Sequence, residues 1–164
     1  MNYYFTPILR DSMPVSDSPP FKIIKKLYKA GDKLKGYDYT EGRMILGQMA
    51  QDSIITILQE DNINWMADDP MEYGSHIPHA INAKGHVLIG GLGLGLLPTM
   101  ILSEWRYRRK ITSITIIEKE QKIIDMVGPY VKSHKVKPTI ICDDLFDYIA
   151  KTDRRFDYIY VDIW

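Results

Sequence analysis

The spacing of apolar residues changes character near Ala83. Ahead of it, short runs mix apolar and polar positions: "FKIIKKLYK" from Phe21, "RMILGQMA" from Arg43, "SIITILQ" from Ser53 and "INWMAD" from Ile63. Such runs mark half-buried strands, and "EDN" between the last two is good hairpin-turn chemistry, so residues 21 to about 69 predict a small antiparallel sheet. In "DPMEYGSHIPHAINA", Asp69 is a candidate N-cap and Pro70 stands at the first helical position, which predicts a short helix interrupted in composition by Gly74 and Pro78. The first twenty residues hold four of the nine prolines with several Ser and Asp. They read as an irregular arm, ordered if it lies on something and otherwise disordered.

Beyond Ala83, strand and helix patterns alternate. "HVLIGG", "ITSITIIE", "KPTIICD" and "FDYIYVDIW" read as buried strands, and "LLPTMILSEWRYR", "KEQKIIDMVGPYVKSH" and "DLFDYIAKT" as the helices between them. That alternation predicts an α/β fold with a parallel sheet and crossover helices. Three segments follow: an arm over 1–20, a β-hairpin region with a helix over 21–83, and an α/β core over 84–164.

Length and composition narrow the classes. A chain of 164 residues with 45% hydrophobic content supports one core of ordinary size. Lys plus Arg equals Asp plus Glu at 21 each, so no global field draws the chain to nucleic acid. "EWRYRRK" is a local basic cluster that suits a solvated helix C-terminus. The lone Cys142 sits in a strand pattern and is expected to pack in the core; a disulfide framework and a thiolate metal cluster are excluded, and a reducing cytoplasm fits. No apolar stretch reaches membrane-spanning length, and the N-terminus lacks a secretory pattern.

Candidate chemistry gathers at the predicted carboxyl ends of the strands, where open α/β sheets bind ligands. In "HVLIGGLGLGL", Gly90, Gly91, Gly93 and Gly95 follow the first strand and lead into a helix. Side chains there would hinder the approach of a nucleotide, or a tight turn and close helix packing; both explanations stand at this point. Glu118 ends the second strand, 23 residues after Gly95, the place of an acid that accepts ribose hydroxyls. Glu120 belongs to the start of the next helix. After the third strand come Asp143 and Asp144; Asp144 can cap the following helix, face an adenine amino group, or both. Asp162 ends the fourth strand, whereas Asp157 precedes it and belongs to the opposite edge.

These four strand tips resemble the class I S-adenosylmethionine-dependent methyltransferase fold, and residues 84–164 look like its spermidine synthase-like branch. The resemblance implies a Rossmann-like core binding S-adenosylmethionine through "GGLGLG", with Glu118 on the ribose, Asp144 (or Asp143) on the adenine side, and Asp162 beside the reacting centre as the catalytic acid-base residue. The preceding β region and "MEYGSHIPHAI" are loosely similar to the N-terminal part of aminopropyltransferases. Those enzymes carry an aspartate where this chain has Gly93, which favours methyl over aminopropyl transfer. A complete core of this kind has seven strands and this chain carries four, so it is a fragment or a natural short form. Its fourth strand is then an open edge, expected to be covered by a second copy, another strand or the arm. The alternatives are a non-catalytic adenosyl-nucleotide-binding module, an aminopropyltransferase and an NAD-binding protein.

His76 and His79 lie three apart, with Glu72 four before His76. No third clustered ligand is evident, so packing or capping near the cofactor is expected rather than a metal. Tyr73 and Trp65 could line a pocket or simply pack.

Overall fold

A computed structural model of the chain describes residues 2–3, 5–38, 42–131 and 136–163. It is a mixed α/β protein that divides into two units, Met1–Ser75 and His76–Trp164.

The first unit carries β1 (Asn2–Tyr3), β2 (Ser16–Ser18), β3 (Phe21–Tyr28), β4 (Lys33–Asp38), β5 (Arg43–Met49), β6 (Ser53–Glu60) and β7 (Ile63–Ala67). Two sheets form where one was expected. One is antiparallel in the order β2-β3-β6-β7; the other has the order β1-β5-β4, with β1 parallel to β5. The β6–β7 hairpin turns at Asp61 and Asn62, which both take positive φ, a conformation Asn and Asp tolerate. The sheets share a core of Leu34, Met49, Ile55 and Ile57. Within the first twenty residues, Leu9 and Met13 are buried, and the Leu9 N–H donates to the Asp68 carboxylate at 2.6 Å. Asp68 is fully buried, and that burial pushes its carboxyl up to about 6.

Helix α1 (Pro70–Asn82) starts as its sequence demands: the Asp69 carboxylate accepts from the N–H groups of Met71 and Glu72 at 2.8 and 3.0 Å. The second unit then alternates: β8 (Gly85–Gly90), α2 (Leu96–Ser103), α3 (Trp105–Arg108), β9 (Ile111–Glu118), α4 (Gln121–Val127), β10 (Thr139–Cys142), α5 (Leu145–Lys151) and β11 (Tyr158–Val161). The four strands make one parallel sheet in the order β10-β9-β8-β11.

Burial follows that order. Val87 to Gly90 and Ile114 to Glu118, in the two central strands, are buried at every position, as a parallel sheet covered on both faces requires. The edge strands are half-exposed, which corrects the expectation for Cys142: it lies at the exposed end of edge strand β10, its thiol toward the Lys119 carbonyl.

Two helices are shorter than their patterns suggested. The helix expected from Leu96 to Arg108 breaks at Glu104, whose backbone is extended, between the buried Leu96–Leu102 stretch and the exposed Arg106. The one expected over 119–134 ends as α4 and passes into a single 3-10 turn, Gly128–Tyr130, at Pro129; residues 132–134 lie outside the described residues.

Candidate functional site

The carboxyl ends of β8, β9, β10 and β11 lie side by side, and backbone bonds continue the sheet past them. Gly91 N–H donates to Ile117 O at 2.8 Å, Asp162 N–H to Gly90 O at 2.8 Å, and Asp143 N–H to Glu118 O at 3.2 Å. Gly90, Gly91, Gly93, Gly95, Glu118, Asp143, Asp144 and Asp162 therefore share one end of one sheet.

The first two glycines answer to the protein's own packing. A Cβ on Gly90 would run into the Leu145 side chain of α5, and one on Gly91, at φ +93°, would meet the Asp162 carbonyl. Close helix-to-strand packing is thus sufficient reason for Gly90. Gly95 occupies the N-cap of α2 in the left-handed region, where no side chain caps the helix.

Glu118 is the best-defined acid of the group. Its side chain is buried, Oε2 accepting from the Leu92 N–H in the glycine loop and Oε1 from the Glu120 N–H, both at 2.9 Å. The carboxylate thereby joins the β9 tip, the loop and the start of α4. An ionised carboxylate offers about four acceptor positions, so two remain beyond these bonds.

Asp144 caps α5, its Oδ1 accepting from Phe146 N–H at 2.8 Å and Asp147 N–H at 3.1 Å. Asp143 accepts the Asp144 N–H at 2.9 Å. Both acids are engaged locally at the helix start.

Asp162 has partners that sequence spacing did not announce. The Tyr160 hydroxyl donates to its Oδ2 at 3.3 Å, and Nε2 of the buried His76 lies 3.9 Å from the same oxygen. The His79 ring packs on Tyr160 with centroids 4.4 Å apart, and its Nδ1 meets the Tyr158 hydroxyl at 2.8 Å. Burial pushes His79 below the usual imidazole range while the charge of Asp162 pulls it back, and burial raises Tyr158. The signal for this wall was period two: Tyr158 and Tyr160 alternate on one face of β11, leading to Asp162. On the other face, Ile159 and Val161 are exposed.

No family model matches the chain, and no curated protein matches it either. Among the described residues, no helix is long and apolar enough to cross a membrane.

Proposed function

We propose that the second unit is a Rossmann-like adenosyl-nucleotide site serving methyl transfer from S-adenosylmethionine to an acceptor, in the manner of the spermidine synthase-like methyltransferases it resembles. The observation that carries this reading is Glu118: a buried carboxylate at the tip of the second parallel strand, tied to the glycine loop and keeping two acceptor positions. The residues fit an adenosyl group on that ground. Glu118 would hold the ribose hydroxyls, and Asp143 or Asp144 the adenine amino group.

When bound, S-adenosylmethionine supplies an activated methyl on a sulfonium. The chain's own work is to orient an acceptor and manage its proton. We give that role to Asp162: the Tyr160 hydroxyl donates to its carboxylate, and the buried His76 imidazole lies 3.9 Å from the same oxygen.

A second reading is favoured by Gly90 and Gly91, whose lack of side chains Leu145 and the Asp162 carbonyl already explain: a glycine turn serving packing alone. Thermal unfolding with S-adenosylmethionine, S-adenosylhomocysteine and NAD separates the two. Each ligand is added at about 100-fold over its dissociation constant, where binding to the native state adds roughly 2.7 kcal/mol. Stabilisation by the two sulfur nucleotides and not by NAD is expected; no stabilisation of a folded sample by any of them leaves the packing reading. Turnover of a methyl acceptor then divides an enzyme from a binding module. Self-association over the open β11 edge belongs to the same proposal, on the exposed Ile159 and Val161, and sedimentation at two protein concentrations tests it.

A further inference from the structure

At the amino-terminal edge of the parallel sheet, away from the glycine loop, lies a cavity of about 310 Å³ lined by His86, Ser113, Thr115, Arg154, Arg155 and Phe156. Its residues come from three places: the start of β8, the first five residues of β9, and the segment between α5 and β11. Four residue steps of strand, about 13 Å, separate His86 from Gly90.

That segment is pinned where it passes β8. The Asp157 N–H donates to the His86 carbonyl at 2.7 Å, and the His86 N–H donates to Asp157 Oδ2 at 2.8 Å. One oxygen of the Asp157 carboxylate is thus taken by a backbone N–H. Upstream, Thr152 Oγ1 accepts the Arg154 N–H at 3.2 Å. Between these anchors, neither the Arg154 nor the Arg155 guanidinium has a hydrogen-bonding or ion-pairing partner among the described residues.

Elsewhere in the lining, His86 Nδ1 and Ser113 Oγ are 2.8 Å apart across register partners of β8 and β9, which orients the imidazole. Phe156 packs against the core cluster of Leu88, Ile117 and Leu145 and supplies an apolar wall. Two arginines and the His86–Ser113 pair, which keeps one donor for a ligand whichever of the two donates to the other, line one cavity. This is a donor set for a tetrahedral dianion, which arginine meets with paired parallel N–H groups. A volume near the lower limit of small-molecule sites leaves space for a compact organic group beside the anion.

We propose that this cavity binds a small organic phosphate monoester, with the phosphate between Arg154, Arg155 and His86 and the organic part on Phe156. The site shares no residue with the carboxyl-edge site, so it stands or falls independently of the adenosyl-nucleotide reading.

The test is a titration of the whole chain with phenyl phosphate, followed by amide shifts in proton–nitrogen correlation spectra, with sodium chloride matched for ionic strength. Saturable shifts centred on His86, Ser113 and Thr115 are expected, with affinity at least tenfold weaker for R154Q/R155Q. These arginines are exposed, so the variant should keep its unfolding midpoint, and R154K/R155K, which keeps both charges, should bind with intermediate affinity. Phenol binding as well as phenyl phosphate would overturn the anion assignment. Shifts that merely track salt, or that survive in R154Q/R155Q, would overturn the site. Inorganic phosphate binding as tightly as phenyl phosphate would remove the role given to Phe156.

Discussion

The Glu118 carboxylate accepts the backbone N–H of Leu92 at 2.9 Å, so the acid of the second strand fastens the glycine loop of the first. Its other oxygen takes the Glu120 N–H. Glu118→Ala removes both acceptors and leaves two N–H groups to find others; a loss on the order of 1–3 kcal/mol is expected in urea unfolding. Glu118→Gln keeps one acceptor oxygen and should lose less. A wild-type midpoint for Glu118→Ala would mean the carboxylate does not hold the loop.

Gly90 and Leu145 offer a test of why the loop begins with glycine. Gly90→Ala drives a methyl group into Leu145 and should destabilise by about 1–3 kcal/mol. Leu145→Ala opens a cavity on its own, costing about 2–5 kcal/mol. If the two side chains compete for one space, the double variant will be more stable than the sum of the single effects predicts, with a coupling of about 0.5–3 kcal/mol. Strict additivity would assign Gly90 another reason.

Asp144 accepts two N–H groups at the start of α5, so Asp144→Ala should cost about 1 kcal/mol, read as a lower unfolding midpoint. Asp144→Asn or Asp144→Ser should restore most of it. A full loss of nucleotide response in Asp144→Asn with stability intact would assign the residue a ligand role besides its cap.

Asp68 makes a prediction about pH. Burial raises its carboxyl from 3.8 to about 6 in the folded chain. Between about pH 4 and pH 6 the native state therefore holds a proton that the unfolded state has released, and stability falls as pH rises through this window. The slope from this group is at most about 1.4 kcal/mol per pH unit. Asp69, also raised by burial, contributes with the same sign. Asp68→Asn keeps an acceptor for the Leu9 N–H and should flatten the fall, checked by urea unfolding at several pH values across the window. An unchanged slope would show that Asp68 is not the group responsible.

Runs with a strong apolar pattern announced their own structure. Phe21–Tyr28, Ser53–Glu60 and Ile111–Glu118 are strands where "FKIIKKLYK", "SIITILQ" and "ITSITIIE" placed them. Strand β4 was missed because "KLKGYD" holds a glycine and offers Leu34 as its buried apolar residue, a pattern too weak to read alone. Division of the β region into two sheets depends on which distant strands pair, and a local pattern carries no such information. Cys142 was misjudged for a related reason: the residue types of a strand do not say whether it lies at the centre or the edge. In the site, the spacing of the glycines, Glu118, Asp144 and Asp162 was legible because chain order in an alternating α/β pattern brings successive strand ends together. The partners of Glu118 and Asp162 were not, since they rest on loop geometry and on a helix contributed by a preceding part of the chain.

Among the described residues strand β11 pairs with a single strand, β8, along four positions, and is stitched to it beyond both ends by the amides of Asp157 and Asp162. Strands β8 and β9, with neighbours on both sides, can open only after others have left. Edge strand β10 is paired in the same way with β9 alone, so the sheet should fray from β10 and β11 inward. Deuterium is expected to enter the amides of Tyr158 to Val161 well before those of Ile89 and Ile116. The strand that delivers Asp162 is then also one of the two that most readily let go, and whatever binds beside that aspartate would slow exchange in β11 before it slowed exchange in the central strands.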